Sequence, residues 1–363
     1  MSIVKSYFSA FSVLVFTGVL IILFSQCVNP DTSRASTNLN LGGEELLQKQ
    51  KGAHIFGYLD SVNLIPFKEN NINWITIVPY AAQKDIDSPE VVFYRGDSLE
   101  NARKDSLWKS QIDIAHANGF KVFLKPHIWL TEPTNDKWRS DIYLENEEDW
   151  HSWQQDYTAY ILNYARIAQA NGVDLFCIGA ELSRLTIEKT EFWHQLIKQV
   201  KKEYTGQLTY AANWNSEYQH ITFWDELDFI GVQAYFPLAK KNNPSLTELS
   251  EGWEKYVPSL EATSKEFDRK IIFTEMGYKS TDNSAIEPWS WVENVSSKDV
   301  NVSLKTQANC YQAFFNSVWN KEWFAGVHIW QMRCDYIVER PEDNLDFSPQ
   351  GKLAEKVIAK GFE

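Results

Sequence analysis

The chain has 363 residues, a formal net charge of −13 and 44% hydrophobic residues. This length allows one large domain or two ordinary ones, with enough apolar residues for a sizeable core, and the acidic balance excludes a typical nucleic-acid-binding protein. Aromatic residues make up 14% of the chain, including 15 Trp, which is typical of a large aromatic core or of a cleft lined by rings.

The N-terminal residues have the pattern of an export signal. Lys5 precedes an apolar run from Tyr7 to Phe24, which is long enough to remain as a membrane anchor. The end of this run resembles a bacterial lipoprotein signal, Leu23-Phe-Ser-Gln-Cys27, in which Cys27 receives the lipid. We therefore predict a signal peptide or anchor over residues 1–26 and a polar tether over residues 27–50. The protein is expected to be exported to the bacterial cell envelope and anchored at the membrane by lipid.

Short apolar runs alternate with helical stretches from residue 51 to residue 363. The apolar runs predict eight strands, which in chain order are His54 to Leu59, Asn73 to Pro79, Lys121 to Pro126, Leu175 to Ile178, Leu208 to Ala212, Phe229 to Tyr235, Lys270 to Glu275 and Gly326 to Trp330. Helical spacing predicts helices over Leu107 to Asn118, Glu147 to Asn171, Glu188 to Tyr204, Leu246 to Phe267 with a kink or break at Pro258, Leu304 to Trp319 and Lys352 to Lys360.

This alternation predicts one α/β domain, a single (β/α)₈ barrel over residues 51–363, since such barrels typically take about 250 residues. A doubly wound open sheet is the alternative. The sequence has no GxGxxG motif after the first predicted strand. Polar and aromatic residues also follow many different strands rather than one switch point, which favours the barrel.

Two carboxylates stand at the ends of predicted strands. Glu181 follows the fourth strand and Glu275 ends the seventh. A carboxylate at the end of a buried strand costs desolvation free energy unless it has a task or a partner. Other polar or aromatic residues follow the remaining strands: Tyr80, His127, Trp129, Asn213, Trp214, Tyr235, Trp330 and Arg333. Each alone is more typical of a structural role, but the C-terminal strand ends of a barrel form its active site, so together they predict one cleft.

Two carboxyl groups in one cleft are suited to the hydrolysis of a glycosidic bond. One protonates the leaving oxygen, while the other attacks the anomeric carbon or activates water. A separation of about 5 to 5.5 Å between them gives retention of configuration and a wider gap gives inversion, a distance that the sequence does not contain. No metal and no cofactor is expected, because His127, His151 and His328 lack the HxH or HExxH spacing of hydrolytic metal sites.

Three short motifs carry further information: Gly231-Val-Gln-Ala-Tyr-Phe-Pro-Leu238, Thr274-Glu-Met-Gly-Tyr-Lys-Ser280 and Asp346-Phe-Ser-Pro-Gln-Gly-Lys352. Together they resemble glycoside hydrolase family 113, and the resemblance extends from Gly52 to the C-terminus. The resemblance implies a retaining enzyme of clan A that acts mainly on β-1,4-mannans.

The same resemblance implies roles for individual residues. Glu181 would be the general acid/base and Glu275 the nucleophile, held ionised by Tyr235. Further residues would bind the substrate, with Trp330 as the platform under the sugar at the cleavage point and His127 and Asn213 on sugar hydroxyls or the carboxylates; the full substrate-binding set is His127, Trp129, Asn213, Trp214, Tyr235 and Trp330. Many clan members have Asn directly before the acid/base, whereas this chain has Ala180, which leaves the sugar preference open.

Two alternatives to a β-mannanase remain. The same barrel could act on another β-linked glycan, such as a glucan or xylan, or it could be a glycan-binding lipoprotein without catalysis. Two opposed carboxyl groups favour the enzyme. The segment 279–302, with Trp289 and Trp291, is either a cleft wall or an insertion that packs its own rings. We expect a monomer whose partners are a glycan and the membrane.

Overall fold

The computed structural model describes residues 48–93, 98–291, 300–335, 340 and 344–363. Within these ranges the strands are β1 (Gln50–Phe56), β2 (Trp74–Ile77), β3 (Tyr80–Gln83), β4 (Lys121–Leu124), β5 (His127–Leu130), β6 (Leu175–Ala180), β7 (Gln207–Asn213), β8 (Phe229–Gln233), β9 (Ile271–Met276) and β10 (Phe324–Arg333). Strands β1, β10, β9, β8, β7, β6, β4 and β2 form, in that order, a closed barrel. Each neighbouring pair is parallel, so the predicted (β/α)₈ fold is confirmed.

The helices lie between strands in the sequence, except for the last one, which follows β10. Over the same residues they are α1 (Ile65–Glu69), α2 (Ser98–Ala117), α3 (Glu147–Ala170), α4 (Ser183–Glu188), α5 (Thr190–Glu203), α6 (Glu217–His220), α7 (Leu246–Glu254), α8 (Val257–Phe267), α9 (Leu304–Phe314) and α10 (Leu353–Gly361). The predicted break at Pro258 is confirmed, because α7 ends at Glu254 and α8 has this proline in its first turn. A proline is tolerated there, since the first turn of a helix does not use its backbone N–H groups.

Strands β6 and β9 are buried along their whole length. A parallel barrel strand has one face towards the interior and one towards the helices, so nearly every position is apolar or small. Gly179 in β6 is an example of close packing, because a Cβ atom there would lie 2.5 Å from the Tyr157 hydroxyl oxygen. Glu181 directly follows β6, and Glu275 lies within β9 near its end.

Strand β1 begins at Gln50, four residues before the strand predicted at His54, and includes the last residue assigned to the tether. The Gln50 side chain is 4% exposed and its amide oxygen lies 2.8 Å from His328 Nε2. The other ring nitrogen of His328 lies 2.7 Å from Thr76 Oγ1. An apolar-run criterion missed this strand end because the barrel interior contains a polar layer here.

A second, two-stranded sheet lies beyond the ends of β2 and β4. Strands β3 and β5 pair in parallel, with Tyr80 opposite His127 and Ala82 opposite Trp129. Pro79 and Pro126 separate these strands from β2 and β4, since proline cannot donate a ladder hydrogen bond. The small sheet was not predicted, and it brings three of the candidate site residues to the C-terminal end of the barrel.

The predicted export signal, tether and lipidation site at Cys27 lie outside the described residues, apart from the last residues of the tether. Over the part of the chain that the structure describes, the helices are too short or too polar to cross a membrane.

Candidate active site

Strand register brings the two predicted carboxylates to the same end of the barrel. Glu275 in β9 is opposite Gln233 in β8, and Gln233 is opposite Asn213 at the end of β7. Asn213 Nδ2 lies 3.4 Å from Glu181 Oε1. Glu275, Gln233 and Asn213 thus lie side by side on three neighbouring strands, and Asn213 contacts Glu181. Both carboxylates therefore belong to one site.

Glu181 directly follows β6 in an unusual backbone conformation. Its φ is 53°, in the left-handed region, which costs a non-glycine residue on the order of 1 kcal/mol. Its backbone N–H donates to Ala211 O at 2.9 Å, which holds the turn. The carboxylate is 7% exposed, and its Oε2 accepts a hydrogen bond from Trp138 Nε1 at 3.0 Å and lies 3.4 Å from Arg139 Nε. Such strain is typical of a residue held in place for function.

A third carboxyl, Glu217, stabilises the surroundings of Glu181. Glu217 is 1% exposed and accepts hydrogen bonds from Asn213 N at 2.6 Å, Tyr210 Oη at 2.8 Å and Ser183 Oγ at 2.8 Å. Tyr210 Oη in turn accepts from Leu182 N at 2.6 Å. Burial raises the pKa of Glu217 to about 7. The carboxyl group thus connects the turn after β6 to the end of β7, where Asn213 contacts Glu181.

Glu275 is in contact with a buried cation. The side chain is 6% exposed, and Lys125, which is 0% exposed, donates from Nζ to Oε2 at 2.8 Å. Tyr235 Oη donates to Oε1 at 2.5 Å. Burial and the neighbouring Glu275 carboxylate raise the pKa of Tyr235 well above its usual value, so the phenol keeps its proton. Both donors stabilise negative charge on Glu275.

The ammonium of Lys125 has several acceptors besides Glu275. It donates to Gln233 Oε1 at 2.5 Å and to Thr274 O at 3.1 Å, and it lies 3.2 Å from His54 Nε2. An ammonium only donates, so His54 Nε2 accepts and the ring is neutral. Burial, followed by the charge of Lys125, lowers the pKa of His54 well below its usual value. The cluster is therefore arranged around the Lys125 side chain, which contacts both Glu275 and His54.

His127 has a defined tautomer. Arg139 Nη1 lies 2.8 Å from His127 Nδ1, and because a guanidinium only donates, Nδ1 accepts. The proton of the neutral ring is then on Nε2, a buried atom without a hydrogen-bond partner among the described residues. Burial, and after it the charge of Arg139, lowers the pKa of His127 well below its usual value. The Nε2–H group therefore has no acceptor among the described residues.

Aromatic rings surround the two carboxylates. Trp129 is 43% exposed and its ring meets the edges of Tyr80 and Trp138, with centroids 6.3 Å and 6.1 Å away. On the other side, the Trp330 ring lies 5.1 Å from the ring of His54, the neighbour of Lys125. Trp214, directly after Asn213, stacks on Trp289. These ring contacts connect the predicted aromatic residues to residues that neighbour Glu181 and Glu275.

Two groups of residues were missed in the sequence. Lys125 interrupts an apolar run at a strand end, the same signal that identified Glu275, and it could have been found in that way. Trp138 and Arg139 lie in the segment between β5 and α3, where no sequence pattern points to Glu181. Arg333, noted after the eighth predicted strand, lies 3.5 Å from Asp335 and over the ring of Phe56.

The chain is similar to proteins of known class in sequence and structure. The model of Glycoside Hydrolase Family 113 matches residues 59–352. A GH113 β-1,4-mannanase solved as a complex is 25% identical, with a TM-score of 0.72, over 87% of this chain and 99% of that chain. The GH113 β-mannanase AaManA from Alicyclobacillus acidocaldarius, in complex with ManMIm, is 26% identical, with a TM-score of 0.73, over 87% and 97%.

A more remote likeness concerns the fold alone. A β-glucuronidase from Ruminococcus gnavus in complex with D-glucuronic acid is 14% identical, with a TM-score of 0.57, over 87% of this chain and 50% of that chain. Among curated proteins, none matches the sequence.

Proposed function

The chain belongs to glycoside hydrolase family 113, and from this premise we propose that it cleaves β-1,4-mannan with retention of configuration, using Glu181 and Glu275. The observation that supports this most directly is the pair of buried carboxylates at one end of the barrel, each with its own set of donors. Two carboxyl groups in different environments are what the reaction requires, since one must give up a proton and the other must attack.

In the first step, Glu275 attacks the anomeric carbon and forms a glycosyl-enzyme ester while the bond to the leaving oxygen breaks. Lys125 and Tyr235 stabilise the anionic carboxylate before the attack. They also stabilise the charge that returns to Glu275 when the ester is hydrolysed. The buried position of Lys125 makes this stabilisation stronger than it would be in water.

Glu181 supplies the proton to the leaving oxygen in that step. It is then ionised, and in the second step it takes a proton from the water that attacks the ester. Trp138 and Arg139 contact Oε2 and stabilise this ionised form. Asn213, at 3.4 Å from Oε1, holds the other oxygen. The acid/base role thus uses both protonation states within one turnover.

Neighbouring groups are suited to a neutral sugar. The unpartnered Nε2–H of His127 is a donor for a hydroxyl oxygen, and apolar ring faces such as that of Trp330 pack against the C–H faces of pyranoses. The most similar solved structures described above are β-mannanases, which favours mannan over glucan or xylan.

The experiment is a hydrolysis panel of β-linked polysaccharides, combined with NMR of the first-formed product. We expect release from mannan, with the product appearing first as the β-anomer. The α-anomer as first product would contradict the double-displacement mechanism. If sugar is released only from another β-glycan, the proposed mechanism still stands, but the proposed substrate is wrong.

We also propose that the protein is exported and lipidated at Cys27, as its N-terminal sequence predicts. Mass spectrometry of the mature N-terminus from the native host tests this. An unmodified peptide that spans Gln26 and Cys27 would rule out the lipoprotein.

A further inference from the structure

A buried lysine fixes the segment that follows β9. Lys279 is 1% exposed, and its Nζ donates to Glu287 O at 3.0 Å, Ser290 O at 2.7 Å and Ser290 Oγ at 2.8 Å. Burial lowers the pKa of Lys279 to about 8. Burying an ammonium costs free energy that only well-placed acceptors offset. Here the acceptors come from both ends of one short turn, so the lysine determines where that turn lies.

The first part of the same segment is itself anchored. Asp282 and Ala285 are buried, at 3% and 0% exposure. Ala285 O accepts from Leu238 N at 2.9 Å and from Ala239 N at 3.1 Å. Asp282 O accepts from Asn243 N at 2.7 Å. The segment is therefore attached to the chain that follows β8, so the turn held by Lys279 is fixed in position.

The turn holds Trp289 against the ring of Trp214. Trp289 and Trp214 stack with centroids 5.0 Å apart and planes 22° from parallel. Trp214 directly follows Asn213, whose amide contacts Glu181. Trp289 nevertheless remains 42% exposed. An insertion that only packed its own rings would bury this side chain, so the exposed surface favours the cleft wall over the packing role.

We propose that Trp214 and Trp289 form a subsite for a neutral pyranose unit of the glycan other than the one attacked by Glu275, and that Lys279 is the positioning residue of this subsite. The proposal rests on the proposed function. The exposed Trp289, held rigidly on the partly buried Trp214, offers an apolar surface at little entropic cost, which suits the C–H face of a sugar. Lys279 does not touch the glycan and acts through Trp289.

The test is the ratio of kcat/KM between variant and wild type over manno-oligosaccharides of increasing length. For Trp289→Ala we expect a loss of about tenfold on the longest oligosaccharides, the size of effect expected when one ring contact with a ligand is removed. The loss should be in KM rather than kcat, and it should shrink as the oligosaccharide shortens. Trp289→Phe should recover most of it.

Lys279→Met should give the same length dependence, and Lys305→Met, an exposed lysine on α9, should match wild type at every length. Thermal melts identify a Lys279→Met variant that fails to fold, and the Trp289 variants then decide. A loss that is equal at all lengths, or absent at all lengths, overturns the subsite.

The activity of the wild type distinguishes a failure of the subsite proposal from a failure of the proposed function. If the wild type cleaves mannan, the ratio reports on the subsite alone. If it cleaves a different β-glycan, the substrate proposal fails and the ratio is measured on oligosaccharides of that glycan. If it neither cleaves nor binds any glycan of the panel, the subsite is overturned together with the proposed function.

Discussion

The surroundings of Glu275 and of Glu181 come from different parts of the chain. Glu275 lies in β9, and its donors lie on or next to barrel strands, with Lys125 directly after β4 and Tyr235 two residues after β8. Glu181 receives Trp138 and Arg139 from the segment between β5 and α3. One carboxylate is thus held by the barrel itself and the other mainly by a connection.

Because of this difference, sequence changes should alter the surroundings of one carboxylate more readily than those of the other. Barrel strands are fixed by their ladders and by packing on two faces, so the charge environment of Glu275 changes only if the barrel changes. Connections tolerate substitution and insertion far more readily. Proton delivery by Glu181 is therefore the part of the reaction that sequence changes outside the barrel can adjust.

The largest expected effect is the loss of activity when either carboxylate is removed. The two variants should differ in which substrates they still cleave. Glu275→Ala should lower kcat by about 10⁴-fold or more on every substrate, because no ester can form. Glu181→Ala should cause a similar loss on mannan but a much smaller one on an aryl glycoside whose phenol leaves without a proton. Steady-state kinetics on both substrates measure this contrast.

Glu266→Ala, an exposed carboxylate on α8, is the matched control and should behave as wild type. If the two variants lose the same factor on the aryl glycoside, the division of roles between Glu181 and Glu275 is wrong.

The next largest effect is expected when the side-chain amine of Lys125 is removed. Lys125→Met should lower kcat on both kinds of substrate by about 10²-fold or more, since an uncompensated carboxylate is left buried, a change that typically costs about 3–5 kcal/mol. The melting temperature should fall as well. Lys121→Met, at the exposed start of β4, is the control. Activity close to wild type in the Lys125 variant would remove the cation from the mechanism.

Two conservative substitutions test the hydrogen-bond donors of the two carboxylates separately. Tyr235→Phe and Trp138→Phe each remove one donor from one carboxylate, at a cost of about 1.5–3 kcal/mol for a bond to a charged group. We expect rate losses of about 10- to 100-fold. The Tyr235 loss should appear on both substrates, whereas the Trp138 loss should appear on mannan and largely vanish on the aryl glycoside. The reverse pattern would exchange the two roles.

The smallest effect concerns stability and is shared by both regions. His54 beside Lys125, His127 beside Arg139 and His328 in the barrel interior have pKa values lowered from 6.5, for His328 to about 3, with burial as the main cause. The unfolded chain binds protons below about pH 6.5 and the folded chain does not, so acidification favours unfolding. The three histidines therefore contribute stability that is fully present above about pH 6.5 and falls as the pH drops towards 3, whereas Glu217, whose pKa is raised to about 7, offsets part of this fall because it keeps its proton in the folded chain.

Urea titrations at a series of pH values measure this slope, and His328→Gln should reduce it. A stability that stays constant between pH 7 and pH 5 would contradict the neutral, buried state of the three rings.

The sequence was sufficient for the barrel, because its strands depend on local apolar patterns, and the same patterns placed Glu181 and Glu275 at strand ends. Strand-length apolar runs that end in Glu181 or Glu275 are visible in any single sequence, and the family prediction is confirmed by the family model. The partners of Glu181 were not predictable, because Trp138 and Arg139 reach it across long sequence separations from an irregular segment. The start of β1 was missed because Gln50 is polar yet buried in the barrel interior, next to His328.

The position of β1 between β2 and β10 has a consequence for how the chain folds as it is made. One edge of β1 finds β2 within a few tens of residues, but Gln50 meets its other partner only at Gly326, near the C-terminus. During synthesis that edge has open N–H and C=O groups until almost the whole domain has left the ribosome. Closing so long a loop makes the β1–β10 ladder a slow and late event. A chain that stops before β10 cannot complete the barrel, and it presents a strand edge on which aggregation can begin.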